Sequence, residues 1–269
     1  MMKFTSVTVR CTDPDYLDIS WAVDHPGIDP TAFRYTVERG ESPEGPFETL
    51  NRDLQDIYQV RDYIAPRKRA WRTLYYRIIA DHNGETYTSD PTNCLPRAPL
   101  DGLEITRLHN LLLREYVGRP CLVLSSRTFG ARCTACYDMV TSRRTVSRCP
   151  VCWNTGFHHG YHRPIVAYIQ IDPNDKIQMN TSEIVAEQAM TNARMSIYPL
   201  LKPRDLIVER EGTRWRINSV RQTERLRSPI HQEVSLVRIP NGDIEYKIPV
   251  AVPDEFETSP RSYSYRGDI

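Results

Sequence analysis

Glycine is scarce in this chain, with 12 among 269 residues, and proline outnumbers it at 20. No Gly-rich loop is present to cradle a phosphate. An excess of charge of one sign is also missing. Thirty-five basic residues face 34 acidic ones, for a formal net of +1. They are spread along the chain rather than blocked, so the protein as a whole is not an electrostatic nucleic-acid binder. No apolar run approaches the length needed to span a bilayer, and the stretch Met1–Thr5 lacks the apolar core of a signal peptide. Synthesis in a cytosol is expected, with no membrane partner. No nucleophile–base pair and no carboxylate cluster placed for a metal stands out, so neither an enzyme nor a small-molecule substrate is expected.

What is present favours strands. Tyrosine leads the aromatics at 15 residues, and Val, Ile and Thr recur in short runs between proline-stiffened turns. A mainly β, multidomain protein follows. In residues 1–97, alternating runs occur at Ser6–Arg10, Leu17–Trp21, Phe33–Arg39 and Leu74–Ala80, and Asn83-Gly84 is a strong hairpin turn. Cys94–Pro99 is a proline-rich boundary. Residues 98–118 read as one linker helix, with Asp101 able to cap, Glu104 three residues on, and Ile105, Leu108, Leu112 and Tyr116 at near-helical spacing before Gly118-Arg119-Pro120 stops it. Its apolar face is expected to pack on a neighbouring domain.

Seven cysteines remain to be placed. Four form two CxxC pairs, Cys133/Cys136 and Cys149/Cys152, separated by twelve residues. Each pair makes a tight turn with two sulfurs on one side, and four thiolates complete a tetrahedron with no open position for water. The expected site is therefore structural zinc and not catalytic. The intervening residues fit a short hairpin with Ser142-Arg143-Arg144 near its tip. His158, His159 and His162 follow, without a nearby carboxylate to complete a second metal site. Arg127, Arg132, Arg143, Arg144 and Arg148 make this the most basic stretch, which leaves nucleic-acid contact as an alternative role. Cys11, Cys94 and Cys121 lie apart, and nothing in the sequence argues for a Cys11–Cys94 bridge.

Residues 119–250 read as a small β-barrel or sandwich, with the ribbon at 127–164 inserted between the strands Cys121–Leu124 and Ile165–Ile171. Asp172–Met190 reads as a long polar loop, with room for a short helix near Ser182–Gln188. Arg221–Arg227 reads as a basic loop between the strands Arg214–Val220 and Glu233–Ile239. Residues 251–269 read as an extended tail. All three segments are expected to be ordered by neighbouring chains.

Four resemblances attach to these residues. Trp21, "YTVERGESPEGPF" (Tyr35–Phe47) and "YYRIIADHNGETYTSDP" (Tyr75–Pro91) resemble the fibronectin type III family. That implies a seven-stranded sandwich with Trp21 and one of Tyr75 or Tyr76 in its core. The two CxxC pairs resemble zinc ribbons. "CPVCWNTGF" is also similar to the knuckles of the DnaJ cysteine-rich domain, with Asn154 in place of its first glycine and Gly156 at the second. "LLKPRDLIVEREGTRWRINSVRQTERLRSPIHQEVSLVRI" (Leu200–Ile239) looks like the head-closure and neck proteins of tailed bacteriophages. It implies a virion protein, made in the bacterial host cytoplasm, that assembles with copies of itself as a ring. Its other partners would be neck, portal or tail proteins. A baseplate or tail-tip adhesion component is a further alternative.

Overall fold

The computed structural model describes residues 2–13, 16–25, 27–63, 73–94, 100–138, 140–141, 143–172, 176–178, 188–225 and 228–250. The boundary at 95–99, the stretches 173–175 and 179–187, and the tail 251–269 lie outside the described residues. The chain is mainly β. It divides into two compact units, Met1–Glu104 with Arg127–Arg163 and Ile105–Ser126 with Pro164–Ile269.

In the first unit, β1 (Lys3–Asp13), β2 (Tyr16–Asp24) and β5 (Gln59–Asp62) form one antiparallel sheet in that order. A second sheet runs β4 (Phe47–Gln55), β3 (Arg34–Gly40), β6 (Tyr75–His82), β7 (Glu85–Thr88), with β8 (Thr92–Asn93) also on β6. Every second side chain points inward, as the period of a strand requires. Ile19, Trp21 and Val23 of β2 share one buried core with Tyr35 and Val37 of β3 and Tyr76, Ile78 and Ala80 of β6. Tyr76 is therefore the core tyrosine, and Tyr75 is only half-buried. Asn83 and Gly84 both adopt left-handed backbone and close the β6–β7 hairpin. β5 went unread in the sequence because Gln59-Val60-Arg61-Asp62 is too short and polar to show a period. Its Asp62 is nonetheless buried, accepting from Arg39 Nη1 at 2.7 Å and from the Tyr76 hydroxyl at 2.8 Å.

In the second unit, β9 (Arg119–Leu124), β12 (Ile165–Ile171), β14 (Gln188–Ser196), β15 (Leu206–Glu209), β16 (Arg214–Arg225) and β17 (Ser228–Arg238) form a sheet in the order β12-β9-β15-β16-β17-β14. Pairing of Ile169–Ile171 with Ala193–Met195 joins its ends, giving a six-stranded barrel. β13 (Lys176–Gln178) adds to β14. The interior is filled by alternate residues: Cys121 and Val123, Ala167 and Ile169, Ala193 and Met195, Trp215 and Ile217, Val234 and Leu236. The outer face of β9 is buried as well, through Leu122 and Leu124. Two buried polar groups tie the barrel's connections. Asp205 accepts from Ser126 N, Ser126 Oγ and Lys202 N at 2.8–2.9 Å, which fixes the chain where it leaves β9. Gln232 donates to the carbonyls of Ser196, Ile197 and Pro199 and accepts from Leu201 N.

Three expectations need correction. Arg221–Arg225 is not loop: β16 continues to Arg225 and pairs with Ser228–Glu233. A cross-strand ladder holds it there although its side chains lack an apolar alternation. Within Asp172–Met190, Lys176–Gln178 and Gln188–Met190 are paired strand, and the expected helix near Ser182 falls on residues outside those described. Helix α1 (Leu100–Leu112) contains Asp101 in its first turn rather than as its cap. It runs on through a single π turn, Leu113–Val117, closed by Gly118 N to Leu113 O at 2.9 Å. A Cβ at Gly118 would stand 2.3 Å from that oxygen, so only glycine fits the stop. Among the described residues no helix is long and apolar enough to cross a membrane.

Candidate metal centre

The insertion between β9 and β12 belongs in space to the first unit. Its root is seated by Arg127, almost wholly buried, which donates from Nη2 to Asp56 Oδ1 at 2.7 Å and from Nε to Tyr161 O at 3.2 Å. Phe129 packs edge-on against Tyr58 at 5.2 Å between ring centroids, and His162 packs on both. Asp56 lies far from Arg127 in sequence, so no local pattern could have announced this seat.

Beyond the root, each CxxC pair forms a knuckle of the same build. Tyr137 N donates to Cys133 O and Trp153 N to Cys149 O, both at 3.0 Å. A two-residue hairpin, β10 (Tyr137–Asp138) with β11 (Arg143–Arg144), joins the knuckles, so the two arginines sit on its second strand and not at its tip. The run after the second pair closes the structure. Gly156 O accepts from Cys133 N at 3.0 Å, and the Thr155 hydroxyl donates to Cys152 O at 2.8 Å. Asn154 is left-handed at φ 67° and Gly156 at φ 84°. Asparagine is the residue besides glycine that tolerates this backbone most readily, so Asn154 fits this turn. Gly160 has no such freedom, since a Cβ there would meet Cys152 O at 2.7 Å.

The four cysteines are buried, none more than 2 % exposed, and their sulfurs all lie within 4.8 Å of one another. Cys133 Sγ is 3.7 Å from Cys149 Sγ, and Cys136 Sγ is 3.4 Å from Cys152 Sγ. Sulfurs at about 2.3 Å around a tetrahedral ion stand roughly 3.8 Å apart, so the spacing fits a single metal ion such as zinc. Burial, then hydrogen bonds with Cys152, Cys133 and Cys149, push the Cys136 thiol up, and Cys152 is raised chiefly by burial. Burial also opposes ionisation of Cys149, yet the backbone N–H groups of Cys152 and Val151 outweigh it and bring that thiol to about 7. Without a cation, four thiolates cannot share so small a volume. A divalent ion removes that conflict.

Of the five arginines in this stretch, Arg127 is buried in its ion pair. Arg132 lies over the rings of Tyr137 and Phe157 at 4.8 and 4.2 Å, and Arg144 donates to Asn154 O. All of them except Arg127 are exposed. His158 and His159 pack edge-on, and His159 and His162 line one cleft with Asp56 and Arg127 at the root. Among the described residues, the four cysteines are the one group of three or more His, Cys, Asp or Glu placed to hold a metal. Neither a protein-family model nor a curated protein matches the chain.

Proposed function

We propose that this chain is a structural virion protein of a tailed bacteriophage, one copy among many in a symmetric ring at the neck, or head-to-tail connector. One observation carries the reading. The outer half of β16, Ser219–Arg225, pairs with β17 on one side only, and among the described residues no strand covers its other edge. Pairing with β15 ends at Arg216, and the free length is exposed or half-exposed throughout. An uncovered edge invites another strand, and repeating that contact head to tail around an axis closes a ring. The edge lies in Leu200–Ile239, the segment that looks like phage neck proteins.

In this reading the ribbon holds zinc as a structural ion. The two-sheet module of the first unit is a fibronectin type III-like domain that meets other neck, portal or tail proteins. Nucleic-acid binding has weaker support, because the chain carries a net charge of only +1 and Arg127, one of the five arginines, is buried in an ion pair. The test is electron microscopy and sedimentation of the full chain at micromolar concentration. Closed rings of one size, with one zinc per chain, are expected. A monomer that binds DNA in a salt-dependent manner would overturn the proposal in favour of the nucleic-acid reading.

A further inference from the structure

Cys11 and Cys94 are separated by most of the first unit in sequence, yet the fold brings them to one corner of it. Cys11 is in β1, at the irregularity between Arg10, which faces Asp18, and Asp13, which faces Tyr16. It is therefore level with Leu17. Leu17 faces Asp62 on β5, and Asp62 accepts the hydroxyl of Tyr76 on β6 at 2.8 Å. Tyr76 in turn faces Thr92 on β8, two residues before Cys94. Burial and then Asp62 hold the Tyr76 phenol up, and the Cys94 thiol adds to both electrostatically, so it too is near that hydroxyl. The circuit closes because β1 and β8 lie against each other. Both cysteines are half-buried against the same core, and neither is in a disulfide. The other five are differently placed. Cys121 is fully buried in the barrel, its thiol pushed up to about 12 by burial first and Glu209 next, and the remaining four form the metal cluster.

We propose that Cys11 and Cys94 are a disulfide-forming pair, which on oxidation staples the first strand of the β1–β8 module to its last. The chemistry is thiol–disulfide exchange with a small-molecule disulfide. The thiolate of one cysteine attacks a sulfur of oxidised glutathione and releases one glutathione thiolate. The second cysteine's thiolate attacks the resulting mixed disulfide and releases the other. Two protein thiols are oxidised, one glutathione disulfide is reduced, and the two protons pass to the departing glutathiones. The bond closes a long loop that spans the whole module, where a cross-link restricts the unfolded chain most. It also fixes the chain just before the proline-rich boundary that follows Cys94.

The experiment treats the metal-loaded full chain with oxidised glutathione at pH 8, alkylates the remaining thiols after denaturation, and digests with trypsin. The expected product is a monomer in which peptide 11–34 is linked to peptide 78–97. The metal content should be unchanged, and the melting temperature of the module should rise by roughly 5–15 °C. Cys11→Ser should leave Cys94 as a mixed disulfide with glutathione and abolish the rise. Separate glutathionylation of both cysteines in the wild-type chain, a link between two chains, a link from either to a ribbon cysteine, or no reaction at all would each overturn the pairing.

Discussion

A single cysteine in the cluster acts together with the other three. The hairpin between the knuckles is two residues per strand, far too small to bury a core of its own, and in the proposed zinc-loaded protein its ordering rests on the four sulfurs and the ion they share. Structural zinc contributes on the order of 10–16 kcal/mol in small sites of this kind. Cys149→Ser removes one thiolate and leaves the ion with three sulfur ligands and an open fourth position. Zinc is expected to fall from one per chain to none in the presence of a moderate chelator. Amide exchange across 133–157 should speed by roughly a hundredfold or more, while β2, β3 and β6 exchange as before. Unchanged protection of the ribbon after the metal is gone would show that the knuckles stand on their hydrogen bonds alone.

Elements differed in how plainly the sequence announced them. β1, β3, β6 and the inner half of β16 alternate apolar and polar residues, and burial follows the alternation, whereas Tyr16–Ile19 of β2 are all buried. The ribbon was legible because CxxC spacing is a local constraint on four ligands. α1 was legible as a helix but not in its orientation. Leu108, Leu112 and Tyr116 suggested a packed stripe, whereas they are 50, 46 and 78 % exposed and Gly102, Leu103, Thr106 and Leu113 are buried instead. The pairings that seat α1, β5 and Arg127 depend on residues distant in sequence, so no window could contain them.

α1 also carries a pH-dependent contact. His109 stacks on His231 of β17, with ring centroids 4.8 Å apart and planes 21° apart. Arg194 of β14 and Glu233 of β17 are the charged neighbours, with Glu233 Oε1 3.5 Å from His231 Nε2 and 3.4 Å from Arg194 Nε. Burial, then His231, then Arg194 lower the His109 pKa from 6.5 to about 4. Between those values the unfolded chain binds more protons than the folded one. Stability is therefore flat above about pH 6.5, falls as pH drops toward 4, and levels off below. Discounted for partial exposure, the loss is on the order of 1–2 kcal/mol. His109→Gln should remove that part of the slope, seen as a smaller difference between urea midpoints at pH 7.5 and pH 4.5. Equal slopes in both proteins would place the acid sensitivity elsewhere.

At the scale of the whole molecule, the open edge of β16 is what a solitary barrel does not need. A six-stranded barrel closes on itself and leaves no edge to manage, yet β16 runs on past its pairing with β15, bonded to β17 alone, with Asn218, Ser219, Arg221, Gln222, Glu224 and Arg225 exposed. Two of those residues are arginines and one is glutamate, enough charge to keep the edge solvated. A neighbour that adds a strand or a carboxylate-bearing loop to this edge gains main-chain hydrogen bonds and pairs the arginines together. Arg221→Glu with Arg225→Glu reverses that complementarity at positions that contribute little to the monomer. Exposed substitutions of this kind shift stability by about 0.5 kcal/mol or less, so the barrel's melting temperature should hold within a few degrees. Assembly should weaken about 10–100-fold in sedimentation at fixed salt, and wild-type assembly should itself weaken as salt screens the pairs. Rings that form equally well from the double variant would mean that the edge faces solvent in the assembly and that the subunits meet through another surface.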